Sequence, residues 1–293
     1  MSANKVGQEV YFERATQLDP SYALAWAWLS RTRNWQVNVD LIPPEEGHRQ
    51  TREAVERALA LNPQLAEAHA QMARIKQQVD FDWAGADTSS QRALALEPGD
   101  PANVRTAAGS AAILGRLDEA LQLSRRAVAL DPLNGGSWES LAEDEFYMGQ
   151  LDQAAADAKK ALELSPDVWP GPILLSRIYL MQGRPQDALS EIKLVGYEPL
   201  RTPLYAMAYY ALGRKKESSA ALSQSITKSP SDMYDVAKVC AFRNQSDEAF
   251  EWLDRAYARR NTCLIETKVA PELKRLREDP RFATFLKKLN MPN

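Results

Sequence analysis

Apolar residues recur along this chain at helical spacing. Leu117, Ala120, Leu121, Ala127 and Val128 keep an i, i+3, i+4 rhythm with charged residues between them, which predicts a helix with one buried stripe. A second apolar run, Val104, Ala107, Ala108 and Ala111, comes just before it, so the two runs read as a helical hairpin. Gly115 lies between them and suits the left-handed residue that closes a helix. Asp118 then puts negative charge at the start of the second helix, and Pro132 stops it.

The same grammar returns 34 residues later: Gly115, Leu117, Ala120, Ala127, Leu130 and Pro132 become Gly149, Leu151, Ala154, Ala161, Leu164 and Pro166. Trp83, Ala86, Ala93, Leu96 and Pro98 form an earlier copy, and looser ones end at Pro20 and Pro63 or begin after Gly183, Gly213 and Asn244. A hairpin of this length cannot bury its apolar face alone, whereas stacked hairpins share a continuous core.

A hairpin repeat reading Trp138, Leu141, Ala142, Gly149, Ala154, Ala161 and Pro166 resembles the tetratricopeptide repeat (TPR). The resemblance implies an all-α fold, an α-α superhelix of about six to seven hairpins. More narrowly, the stretches "YFERATQLDPSYALAWAWLSRT" and "DEAFEWLDRAYARRN" are similar to TPR arrays that follow bacterial winged-helix regulators, nucleotide cyclases and serine/threonine kinases. No ATP loop, kinase catalytic loop or cyclase carboxylate pattern accompanies them.

The expected organisation is one solenoid over residues 1–293. Irregular hairpins occupy 1–66, with an insertion at 36–48; regular 34-residue repeats occupy 67–166; looser repeats run over 167–260; and capping helices over 261–293 close the chain. Met1 to Pro20 reads as only the second helix of a hairpin.

The resemblance implies that the first helix of each hairpin lines a concave groove. Its inward positions are then Trp28, Arg31, Trp35, Gln71, Ile75, Arg105, Glu139, Glu143, Phe146, Arg177, Met207 and Tyr210. Aromatic ground with separated charges suits a peptide. For Trp26, Trp28 and Trp35 the alternative is packing against the insertion. Some family members capture a peptide carboxylate with Lys, Asn and Arg on successive first helices. Here Ala27, Gln71, Arg105, Glu139 and Ile173 stand at those places, which departs from that set.

Composition narrows the remaining choices. With a net charge of -3 the chain has no general attraction for nucleic acid or an anionic membrane. No apolar run approaches the roughly 18 residues that span a bilayer, and the first 20 residues lack a signal-peptide core, so a cytoplasmic location is expected. The two cysteines, Cys240 and Cys263, fit neither a redox motif nor a zinc knuckle, and no metal or cofactor motif is present. Only His48 and His69 are available as bases, and both read as structural, so no enzymatic activity is expected. The sequence thus points to a protein- or peptide-binding scaffold. The alternative is a regulatory or self-associating module whose contact is a second copy or a linked signalling domain.

Overall fold

The computed structural model describes residues 3–38, 41–166, 171–228 and 233–292. Its elements are α-helices and short 3-10 or π turns, with no strand among the described residues. In order they are α1 (Ala3–Leu18), α2 (Ala23–Asn38), α3 (Pro44–Leu61), α4 (Ala66–Ile75), α5 (Trp83–Leu96), α6 (Pro101–Ile113), α7 (Leu117–Leu130), α8 (Gly135–Met148), α9 (Leu151–Leu164), α10 (Gly171–Met181), α11 (Pro185–Ile192), α12 (Glu198–Ala211), α13 (Lys215–Lys228), α14 (Met233–Phe242), α15 (Ser246–Ala258) and α16 (Pro280–Lys288). A π turn, Lys76–Asp80, follows α4, and two 3-10 segments, Thr262–Glu266 and Pro271–Glu278, precede α16. The fold class is all-α, built of stacked helical hairpins. Two compact units divide the chain within α6, residues 1–110 and 111–293.

The hairpin turns have a common construction. Gly115, Gly149, Gly183 and Gly213 all have φ between 71° and 81°. At each, the glycine N–H and the one after it return to carbonyls of the last helical turn, as in Gly149 N to Phe146 O at 3.0 Å and Gln150 N to Glu145 O at 2.8 Å. Asn244, φ 60°, makes the same turn after α14. This left-handed closure satisfies carbonyls that a helix end leaves unpaired. Where α4 ends without glycine, the π turn and a left-handed Phe81 substitute. Phe81 is held there by stacking on Trp83 at 5.7 Å.

The alanines of the second helices lie in the packing seam: Ala120, Ala127 and Ala154 are fully buried and Ala161 nearly so. The insertion expected over 36–48 is mostly helix. α2 runs to Asn38 and α3 begins at Pro44, where proline at the first helical position gives up an N–H that would be unpaired anyway. Residues 39–40 of that insertion lie outside the described residues. Gly47 is buried in this corner, where a β-carbon would fall 2.2 Å from Val37 Cγ2. The expected capping helices at the end are two 3-10 segments and one α-helix, because Pro271 and Pro280 restart the chain twice within ten residues.

Three side chains reveal the repeat register. Trp26 Nε1 donates to the Pro20 carbonyl at 3.1 Å, Trp138 Nε1 to that of Pro132 at 2.8 Å, and His69 Nε2 lies 2.9 Å from that of Pro63. A carbonyl only accepts, so the His69 proton resides on Nε2. His69 therefore takes the part of tryptophan, tying the first helix to the preceding proline turn. Pro63 and Pro98 are 35 residues apart, not 34, so positions on α4 are one residue earlier than a uniform repeat counted back from Pro98 would place them.

Candidate functional site

Within residues 111–293, the first helices of three hairpins present Glu143 on α8, Arg177 on α10 and Lys238 on α14, and a segment of the same chain already lies against Arg177. This segment, here called the strap, is Thr262–Glu278. Arg177 Nε donates to Glu272 Oε1 at 2.6 Å, and one terminal nitrogen donates to Glu272 Oε2 at 3.1 Å and to Glu266 Oε2 at 2.8 Å. The guanidinium also lies 5.1 Å from the centre of the Phe146 ring. Leu264, Ala270, Leu273 and Leu276 of the strap are buried, none more than 1% exposed. Lys268 Nζ anchors it further by donating to the Leu114 carbonyl at 3.0 Å.

The charges in this face are strongly coupled to burial. Burial alone would raise the Glu272 carboxyl, but the charge and hydrogen bonds of Arg177 outweigh it and hold it at about 2. Burial opposes the Arg177 charge as well, and Glu266 and Glu272 overcome it. Lys238 is likewise opposed by burial and sustained mainly by Asp235, 2.8 Å away. Glu143 is pushed up by burial and then by Glu266, and accepts the Tyr147 hydroxyl hydrogen bond at 2.9 Å. Phe146 and Met207, both expected in an open groove, are core residues at 0% and 2% exposure. Tyr210 is half-buried, its hydroxyl donating to the Arg243 carbonyl at 3.2 Å and its ring edge-on to Phe242. Glu139 is half-buried on α8.

Within residues 1–110, Trp28, Arg31 and Trp35 lie on α2. Trp28 stacks on Phe12 at 5.9 Å, and the Arg31 guanidinium sits 4.8 Å from the Trp28 ring centre. Trp35 is half-buried. Ile75 is 1% exposed in a core with Ala27, Val55, Ala58 and Ala68. Gln71 is buried and donates to Glu67 at 2.6 Å. The shifted register explains both: counting five residues from the tethered ring, Arg31 follows Trp26 and Arg74 follows His69. Arg74, not Gln71 or Ile75, is thus the counterpart of Arg31. Its ionisation is lowered to about 10 by burial and then by the Arg31 charge, with Arg105 adding to the effect and Glu67 opposing it. The signal that would have found Arg74 is the extra residue between Pro63 and Pro98.

A separate set of acids lies between α7, α8 and α9. Asp144 accepts the buried Ser124 hydroxyl at 2.5 Å and is raised to about 7 by burial. Glu145 is raised to about 7 by burial and by Asp157. The one hydroxyl hydrogen-bonded to Asp144 among the described residues, Ser124, is itself fully buried, and the three read as structural acids. Among the described residues no group of three metal-ligating side chains occurs, and no helix is long and apolar enough to cross a membrane.

Comparisons with known proteins agree with this architecture. Residues 146–207 match a family model described as tetratricopeptide repeat. A solved structure of Pseudomonas aeruginosa PilF is similar with a TM-score of 0.53 at 19% identity, covering 72% of this chain and 93% of that one. TTC0263, a thermophilic TPR protein from Thermus thermophilus, gives 0.53 at 22% identity, covering 64% and 99%. Human IFIT1, solved as a dimer with m7Gppp-AAAA, gives 0.62 at 16% identity, covering 88% and 68%. No curated protein matches the chain. At these identities the likeness concerns the fold alone.

Proposed function

We propose that this chain, residues 146–207 of which match the tetratricopeptide-repeat model, is a cytoplasmic, non-enzymatic scaffold of that repeat type whose first helices bind an extended protein segment along their inward side. The observation that carries this reading is the strap. Inward residues of α8, α10 and α14 hold a non-α-helical stretch of polypeptide by an arginine–carboxylate fork and apolar anchors. The same elements, aligned charge donors above a buried apolar floor, are what peptide recognition uses. Rigid stacked helices present these groups with little ordering cost, so the ligand bears most of it.

The test is selection of a random peptide library on the purified full chain. Enrichment of a shared motif, with binding confirmed on synthetic peptides, supports the scaffold. Absence of any enriched sequence overturns it. A second reading is a regulatory or self-associating module, of the sort joined to signalling domains, and it is favoured by the same strap because that face is engaged within the chain itself. Sedimentation showing concentration-dependent dimers, together with no peptide enrichment, would establish the second reading over the first.

A further inference from the structure

Helix α1 carries apolar residues on two sides. Its inner side packs on α2, where Phe12 stacks on Trp28 at 5.9 Å and Thr16 is buried. Its outer side presents Val10, Tyr11 and Leu18, which are 64%, 74% and 70% exposed, and Tyr22 follows just beyond the helix at 49%. Tyr11 and Leu18 are two helical turns apart and so share one face. Nine large apolar side chains are exposed among the described residues, and four of them fall between residues 10 and 22. Single exposed apolar residues need no explanation, whereas a cluster marks an interaction surface.

The last helix shows the opposite pattern. α16 buries Phe282 and Phe285 and keeps Arg281, Lys287 and Lys288 exposed. A helix that ends a stack needs such a polar outer face if water is to cover it. The outer face of α1 is mainly apolar instead.

We propose that this face is a homodimer contact, in which α1 of one copy packs antiparallel on α1 of a second. Two observations select a second copy as the occupant. The first is charge. α1 has no basic residue in its last turn, and Asp19 adds a carboxylate just past its end, so that end is negative. Arg14, exposed between Tyr11 and Leu18, reaches only Gln17 of its own helix among the described residues, at 3.4 Å. A two-fold axis near Thr16 and Gln17 would set each Arg14 beside the negative end of the other helix and lay Leu18 across the small Ala15 of the other copy. A face that carries both signs in this order is self-complementary, as an isologous contact requires.

The second observation is area. The exposed parts of the two tyrosines, the leucine and the valine amount to roughly 300 to 450 Å² of apolar surface. A symmetric pair doubles this and, with its polar rim, reaches about 1,000 Å², the lower bound for a specific interface. The contact should therefore be weak and reversible. The proposal gives a surface to the self-associating reading and leaves the peptide-binding helices free, so the two functions can fail separately.

Sedimentation of the full chain across micromolar concentrations tests it. The expected result is a reversible monomer–dimer equilibrium that Leu18→Glu and Arg14→Glu each weaken by about tenfold or more, because each substitution enters the contact twice. Both positions are exposed, so both variants should melt like the parent. Leu133→Glu, at a leucine 77% exposed elsewhere in the chain, should dimerise like the parent. A monomer at every concentration overturns the proposal, whether or not library selection enriches peptides; enrichment by that monomer would leave the scaffold reading standing alone. A dimer that neither α1 variant weakens, or that Leu133→Glu weakens as much as Leu18→Glu, also overturns it, because self-association would then use another surface.

Discussion

Replacing Glu272 with glutamine removes one negative charge from the strap while preserving its size. In the folded chain this carboxyl is held at about 2, against an ordinary 4.5. A displacement of that size corresponds to about 3 kcal/mol of preference for the charged form, in line with the roughly 3 to 5 kcal/mol found when one partner of a buried pair is removed. The carboxyl is depressed on folding, so its contribution is complete above about pH 4.5 and is lost as pH falls toward 2. The apolar anchors Leu264, Leu273 and Leu276 remain in the variant, so the strap should open more often without the rest of the unit unfolding. Amide hydrogen exchange over residues 262–278 reads this directly. Glu272→Gln should accelerate exchange there by about a hundredfold, the equivalent of roughly 3 kcal/mol. Glu266→Gln, at a site 20% exposed and with one contact to Arg177, should accelerate it by less than about tenfold. Equal rates in Glu272→Gln and the parent would refute the argument, and so would a larger effect at Glu266.

Two further outcomes are expected. The Asp144 carboxyl is raised to about 7 in the folded protein, so the native state binds more protons than the unfolded chain between about pH 4 and 7, and stability falls as pH rises across that window. Asp144→Asn should reduce this slope, leaving the part due to Glu145, which is also raised to about 7, and should stabilise the protein at pH 8 by on the order of 1 to 3 kcal/mol in urea titrations; an unchanged pH profile would show that Asp144 does not contribute to it. Ala127→Leu, at a fully buried seam position, should lower stability by about 1 to 3 kcal/mol, and a variant melting like the parent would mean that the seam can yield.

Much of the fold was legible in sequence because it depends on local, repeated chemistry. Glycines at 115, 149, 183 and 213 take the left-handed angle that their spacing suggested, and the alanines of the second helices are buried in the seam. The candidate faces were less legible, for two physical reasons. First, a single residue added between Pro63 and Pro98 shifts α4 by one position, which exchanges Gln71 and Ile75 for Arg74 on the inward side; proline spacing reveals this only once His69 is seen as the ring tethered to Pro63. Second, the partners of Arg177 are 89 and 95 residues away. No periodic pattern links a first helix to a 3-10 segment so distant, so Arg177 and Phe146 read as open groove when they are covered by the chain itself.

That separation also has a consequence in time. A polypeptide leaves the ribosome at roughly 5 to 20 residues per second, so Glu272 follows Arg177 by about 5 to 20 s. During that interval α8 and α10 can pack, yet the guanidinium beside Phe146 lacks the two glutamates that later fork onto it. The nascent face must stay hydrated, or borrow an anion from its surroundings, until the strap emerges. Seating the strap is therefore an exchange, in which the protein's own glutamates take the place of the hydration of Arg177.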